Sequence, residues 1–362
     1  MKKIKRYVLL IGFFVVIIAA QLSCNLAGGG QTAPAVEKPA LAEVQNSVSP
    51  PPKIEESPFP THAPTIENRE TAIPYGVPAR RWLEEIVGQF GARPAGSEAE
   101  RMAAVHVAAQ LEEMGYMVER QPFTFDEDSG KTIQSANIIA VKKGLSDREI
   151  IVGAHYDSGD EGDGADDNAS GVAVLLETAE RLKDAETPYT VRFIAFGAEE
   201  NGLIGSNHYV RSLRKMELEK ITYMINLDSL IAGEIAYVYG DAGFNGNLRD
   251  MVLNESRRLG YDLEGKTAEE LDPPDEPCEC SDYFPFRQAG IPYIYFESTN
   301  WNLGDQDGWT QVDEDLGDNG MIWHTPYDTI AYIDRIAPDR IDERLEMFVN
   351  LLVEALTKFK LS

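Results

Sequence analysis

From Tyr75 onward the apolar positions switch between short buried runs and spacings of three and four, the mark of strands alternating with helices. "GSEAERMAAVHVAAQLEEMGY" predicts a helix with Ser97 as N-cap, Glu100 as capping-box partner and Gly115 as its stop. "YMVERQPFTF" and "SANIIAVKKG" alternate or run apolar as strands do, and "EIIVGAHYDS" is a buried strand ending at His155. Helix "SGVAVLLETAERLKD", strand "YTVRFIAFGAEE", helix "GLIGSNHYVRSLRK" and strand "ITYMINLDSL" follow. After a hairpin-like "IAYVYG" the pattern predicts a helix around 248–259 and an acidic, Pro-rich loop over 264–279. "SDYFPFRQAG", the strand "IPYIYFES" and an amphipathic helix with Pro338 in its first turn close the chain.

Such alternation implies an α/β fold of three layers, α/β/α, with a central mixed, mostly parallel twisted sheet and helices on both faces. In sheets of this kind ligands sit outside the carboxyl ends of the strands. His155, Glu199, Glu200 and Asp228 each fall at or just past the end of a predicted strand, and the Asp166–Asp167 pair opens the next helix. Metal-competent side chains far apart in sequence therefore gather at one sheet edge.

The first 74 residues follow a different pattern. Lys2, Lys3, Lys5 and Arg6 precede an unbroken apolar run from Val8 to Ala20, too short for a comfortable membrane span but suited to a signal segment. "QLSC" then resembles a bacterial lipoprotein signal with Cys24 as the lipidated residue, although Gln21 stands where that pattern usually has Leu. A plain cleaved signal or an uncleaved anchor are the alternatives, and all three export the chain to the cell surface or beyond. Residues 25–74 are rich in Pro, Ala, Thr, Ser and Glu, as in "SVSPPPKIEESPFPTHAPT", and predict a disordered tether. The division is thus 1–24 signal, 25–74 tether and 75–362 catalytic domain.

Charge narrows the partners. With 33 basic and 60 acidic residues the formal charge is −27, which argues against nucleic acid and against an anionic membrane surface, leaving membrane attachment only through the N-terminal segment. Besides Cys24 the chain has only Cys278 and Cys280, which offer no disulfide framework and a poor structural zinc site; a free or weakly bonded pair in a loop is expected.

The loop "HYDSGDEGDGADDNASG" carries the candidate chemistry. Read as an EF-hand from Asp157 it fails at Gly159 and Asn168, and read as a phosphate cradle its Asp residues would repel the anion. Imidazole with carboxylate suits zinc instead. His62 lies in the tether, His106 inside a helix and His208 on the helix after "GAEE", which leaves His155 and His324. With Asp167, Glu200 and Asp228 they supply two nitrogens and three carboxylates, enough for two metals with open positions if one carboxylate bridges.

"GAHYDS", "GADDNASGVA", "FIAFGAEENGLIGS", "INLDS", "SDYFPFRQAGIP" and "HTPYDT" occur in the order and approximate spacing of the co-catalytic zinc aminopeptidases. This family includes secreted bacterial leucyl-type aminopeptidases, glutamate carboxypeptidase and glutaminyl cyclase. "GARPAGSE" resembles the turn that opens their catalytic domains. The resemblance implies a zinc exopeptidase-like fold, with His155 and Asp228 on one zinc, Glu200 and His324 on the other, and Asp167 rather than Asp166 between them. It implies Glu199 as general base to a di-zinc-activated water and Asp157 as the carboxylate orienting His155. Tyr283 stands where relatives often have His, and Trp323 where some place an oxyanion-stabilising Tyr. Both are candidate substrate-binding residues, and Tyr283, Phe284, Phe286 or Trp309 could line a side-chain pocket or simply pack. The implied reaction is hydrolysis of N-terminal residues from peptides with a free amino end, with an apolar first residue expected. The alternatives are a single-zinc glutaminyl-peptide cyclase, which does not retain a ligand at the position of His155, and a non-catalytic binding protein of the same fold.

Overall fold

The computed structural model describes residues 73–127, 129–241, 247–271, 280–358 and 360. The signal segment with Cys24, the tether with His62, and Cys278 lie outside them. Eight strands form one sheet: β1 Val118–Asp126, β2 Thr132–Lys142, β3 Ser146–His155, β4 Tyr189–Phe196, β5 Ile221–Leu227, β6 Ile235–Gly240, β7 Glu264–Thr267 and β8 Tyr293–Thr299. Their order is β1-β2-β4-β3-β5-β8-β6-β7. The central pairings β4/β3, β3/β5 and β5/β8 are parallel, as is β6/β7, whereas β1/β2, β2/β4 and β6/β8 are antiparallel. The sheet is therefore mixed and mostly parallel.

Period-two alternation on the central strands divides the core. Ile150, Val152 and Ala154 of β3, with Ile294 and Phe296 of β8, pack under helices α1 (Val77–Phe90), α2 (Glu98–Glu113), α3 (Gly171–Leu182), α6 (Asn247–Leu259) and α10 (Arg340–Lys358). Ile151, Tyr293 and Tyr295 face the other way, against Tyr209 of α4 (Ile204–Ser212) and Phe286 of α8 (Tyr283–Gln288). Short helices α5 (Lys215–Leu218), α7 (Ala268–Leu271) and α9 (Ile330–Ile336) join the longer elements. The layers are those expected.

Several local expectations shift. Ser97 does cap α2, accepting from Glu100 N at 3.0 Å, but the Glu100 carboxylate turns to Gly96 N (2.5 Å) and Ser135 Oγ (2.5 Å). Helix α1 has no side-chain cap of its own, because its first N–H groups at Gly76 and Ala79 donate to Glu177, a buried carboxylate on α3. The expected acidic loop begins with a short strand and helix, β7 and α7, and Pro338 stands two residues ahead of α10.

Strand β3 carries His155 outward and is packed closely enough to need glycine. A Cβ at Gly153 would stand 2.5 Å from the Phe196 ring and 2.7 Å from Met224 Cε, on the two flanking strands. Gly153→Val is therefore expected to lower the unfolding free energy by about 2 kcal/mol through overpacking. The readout is a lower urea midpoint at unchanged slope; an unchanged midpoint would show that these strands tolerate more volume than the structure allows.

Candidate metal centre

The carboxyl ends of β4, β3 and β5 lie side by side. Strand β3 ends on His155, β4 runs out through Gly197 and Ala198 into Glu199–Glu200, and β5 ends one residue before Asp228. Asp167 comes from an irregular turn, Ala165–Ser170, ahead of α3, and His324 from the loop before α9. These side chains meet. Asp167 Oδ1 is 3.1 Å from His155 Nε2, and its Oδ2 is 3.0 Å from His324 Nε2. Asp228 Oδ1 approaches His155 Nε2 at 3.3 Å, and Glu200 Oε2 approaches His324 Nε2 at 3.1 Å. Glu199 Oε2 stands farther off, 3.9 Å from His155 Nε2.

Donor atoms of His155, Glu199 and Asp228 fall within 4.8 Å of one another, as do those of Asp167, Glu200 and His324. The chemistry fits a pair of divalent ions such as zinc, since each group combines imidazole with carboxylate oxygens. A further sign is Glu200 Oε1, buried with no hydrogen-bond partner. Asp167 offers one oxygen to each side, as a shared ligand must. The charge balance is consistent with cation binding. Burial disfavours a proton on His155, yet Asp228 and Glu199 hold its pKa well above the ordinary imidazole value. Asp167 and Glu200 push His324 up to about 11. Burial likewise opposes charge on Asp167, but hydrogen bonds from both imidazoles hold it below the usual carboxylate range.

A ring of further side chains fixes these groups. Asp157 accepts from the backbone N–H of Glu199 (3.1 Å) and of Glu200 (3.2 Å), and its Oδ1 is 3.6 Å from His155 Nδ1. Its carboxylate thus ties the imidazole to the turn bearing both glutamates. Asp166 faces away, accepting from Ile231 N, Ala232 N and Gln311 Nε2 at 2.7, 2.9 and 2.6 Å. That orientation favours Asp167 over Asp166 as the ligand.

Four contributors escaped the sequence reading. Asp328 accepts from the N–H groups of Asp166 and Asp167 at 2.6 and 3.1 Å. Gln311 accepts from Ile322 N and Trp323 N, steering the loop to His324. Ser281 donates to Asp228 Oδ2 at 2.6 Å. Arg93, fully buried, donates to the carbonyls of Gly91, Tyr156, Asp163 and Gly164 and so clamps the acidic loop. Arg93, Ser281 and Asp328 lie within the family motifs, but nothing in their spacing marks them.

The centre opens into a cavity of about 760 Å³ whose wall includes Glu297, Trp301, Trp309 and Trp323. The Trp323 indole N–H is buried without a partner. Tyr283 is not in the wall; it is fully buried, stacked on Tyr293 and Tyr295 at centroid distances of 4.4 and 5.3 Å. Phe284 and Phe286 also pack in the core. His106 lies against Phe90 and Glu85, and His208 against Phe123, both apart from the centre. Cys280, at the cavity wall, is disulfide-bonded rather than free.

The chain is similar to several known proteins. Over 303 residues the chain is 30% identical to the alkaline phosphatase isozyme conversion protein of Escherichia coli, covering 76% of this chain and 88% of that one. It is 33% identical over 234 residues to aminopeptidase YwaD of Bacillus subtilis, covering 62% of this chain but only 46% of the relative. Among solved structures, a zinc aminopeptidase from Bacillus subtilis superposes with a TM-score of 0.64 at 20% identity, over 79% of this chain and 96% of that one. A Tannerella forsythia glutaminyl cyclase does so at 0.62 and 20%, over 79% and 99%, so the fold alone does not separate the two activities. Residues 137–349 match Peptidase family M28, and with that match and the conversion protein covered over most of its length, the chain belongs to this family of peptidases.

Proposed function

We propose that the protein is an exported aminopeptidase whose His155, Asp228, Glu200 and His324, with Asp167 shared between the two sides, would hold two zinc ions. The observation that carries the reading is the placement of the Asp167 carboxylate, one oxygen toward each imidazole, with Asp228 and Glu200 completing the two sides. Zinc bound there would supply Lewis-acid polarisation of the scissile carbonyl and a water of lowered pKa.

The protein's own groups do the rest. Glu199 accepts the proton of the attacking water and returns it to the leaving amine. Burial holds its carboxyl well above the ordinary value, with Asp282, Asp228 and Glu200 adding to the effect against the pull of His155. Both features favour a group that takes up a proton and gives it back. Asp157 positions Glu199 through the backbone rather than touching substrate. Trp323 lines the cavity beside His324, with its indole N–H buried rather than open to substrate. The substrate's free amine is drawn by the carboxylates. No lysine or arginine lines the cavity among the described residues, so the described wall offers no cationic side chain to a substrate's C-terminal carboxylate. His155 at the centre of one ligand group favours two metals over the single zinc of a cyclase.

Elemental analysis of the zinc-loaded protein should find close to two ions per chain, falling in Asp167→Asn. Glu199→Gln should keep the metal and lose about 10²- to 10⁴-fold in turnover. Near-normal turnover in that variant would remove Glu199 from its role.

With a panel of peptides read by mass spectrometry, residues should leave one at a time from a free amino end and not from an acetylated one. Loss of ammonia from N-terminal glutamine, or trimming from the carboxyl end, would instead support a different member activity.

Export rests on the N-terminal pattern. A labelled fatty acid should mark the protein and fail to mark Cys24→Ser; an unlabelled protein with a new N-terminus elsewhere would indicate an ordinary secreted enzyme.

A further inference from the structure

One wall of the cavity carries a carboxylate that neither the metal centre nor the hydrolytic step uses. On β8, Tyr293, Tyr295 and Glu297 alternate onto the face opposite Ile294 and Phe296. Their surroundings there are aromatic: Tyr237 and Tyr239 pair across from Glu297 and Tyr295, and Trp301 lies beside Tyr239. Into this wall the chain places Glu297, 8% exposed and lining the same cavity as Asp228, Glu200 and His324.

A buried carboxylate among aromatic rings is costly unless it is hydrogen-bonded. Glu297 is bonded, but only to neutral groups. Tyr239 OH donates to Oε2 at 2.6 Å and Tyr295 OH to Oε1 at 2.8 Å. Trp301 Nε1 in turn donates to Tyr239 OH at 2.8 Å, and Tyr239 and Tyr295 stack at 5.3 Å. These contacts fix the carboxylate's orientation, and each oxygen keeps a second lone pair for a further donor. They supply no countercharge. The carboxylates of Asp228 and Asp166 act on Glu297 in the same direction as its burial. Lys266, over the Trp301 ring at 4.7 Å, forms its ion pair with Glu270 at 3.7 Å.

We infer that Glu297 selects the first side chain of the substrate and that this side chain is cationic, an N-terminal lysine or arginine. The inference rests on the aminopeptidase reading and names the substrate class of that same cavity. The aromatic wall of Tyr295, Trp301, Trp309 and Trp323 suits the methylene stem of such a residue and the face of a guanidinium. The carboxylate takes the charged head in a charge-assisted hydrogen bond. Burial holds the Glu297 carboxyl at about 8 despite the two phenol donors, so an arriving cation supplies the stabilisation that the ionised form lacks. The apolar first residue expected from Tyr283, Phe284 and Trp309 gives way to this reading, because the first two pack in the core and Glu297 stands in the wall.

The test compares lysyl, arginyl, norleucyl and leucyl anilides with the full-length, zinc-loaded protein. Norleucine keeps most of the lysine stem and lacks the charge. Lysine and arginine should exceed norleucine in kcat/KM by at least about tenfold. Glu297→Gln, which preserves shape, should abolish that excess while leaving norleucine turnover within about threefold and the zinc content unchanged. Equal or better turnover of norleucine by the unaltered protein would overturn the inference, as would a uniform loss on all four substrates in a variant that retains its zinc. Should the variant fail to fold, the lysine-to-norleucine ratio of the unaltered protein decides alone. Brisk norleucine hydrolysis without a lysine preference leaves the aminopeptidase standing and removes only Glu297's role; no hydrolysis of any of them overturns both.

Discussion

A single carboxylate shared by two imidazoles sets the demands that the rest of the structure meets. Asp167, which faces both His155 and His324, leaves the chain from an irregular turn whose φ/ψ at Asp167 and Asn168 are non-helical. Within that turn Ala169 N–H still donates to Gly164 O at 3.1 Å, but the N–H groups of Asp166 and Asp167 need partners elsewhere. Asp328 takes the N–H groups of Asp166 and Asp167, while Asn168 accepts from Gly171 N and donates to Leu227 O. The Asp166 carboxylate binds the backbone just beyond β5, and Gln311 joins it to the loop that delivers His324. One ligand position thereby locks the start of α3, the end of β5 and a loop far along the chain.

The strands pay for this in backbone conformation. Ala198 just before the glutamate pair, Ser229 just after Asp228 and His324 itself have φ of 55°, 53° and 55°, a region that favours glycine. Each marks a place where the chain must turn sharply to aim a carboxylate or imidazole back toward the sheet edge. Strain of this kind persists only where the surroundings over-determine it. Asp157 does so for the glutamates, through two backbone N–H groups, and Gln311 does so for the loop to His324.

This division explains what could be read from the sequence. His155, Glu199, Glu200 and Asp228 were legible because buried strands have a strong pattern and their carboxyl ends collect ligands in α/β sheets. The layers followed from the same alternation. Arg93, Gln311 and Asp328 were not legible, because each acts by side-chain bonds to groups far away in sequence, Arg93 and Asp328 to backbone and Gln311 to Asp166, and such bonds leave no periodic trace. Helix α1 was not predicted although Pro78 at its start and Gly91 at its end mark it; what left no local trace is the Glu177 carboxylate, about a hundred residues on, that meets its first N–H groups. Tyr283 illustrates the converse error. A residue one position after Asp282 in a recognised motif invites a role in the site, yet a six-residue helix carries it into the aromatic core.

The net charge of −27 also takes on a sharper meaning in the structure. Many of the acids are solvated, but Asp157, Asp166, Asp328 and Glu297 are buried and are stabilised by backbone N–H groups, an amide or phenols. Such dipoles stabilise a carboxylate without cancelling its charge. Arg93 lies close enough for its charge to act on Asp157, Asp167 and Asp328, but its donors go to carbonyls. The carboxylate oxygens of the centre are thus left to face the imidazoles and the cavity. Because these acids are met by dipoles and not by arginines, the carboxylate oxygens of the centre remain available to the cation pair and the substrate amine of the proposed function.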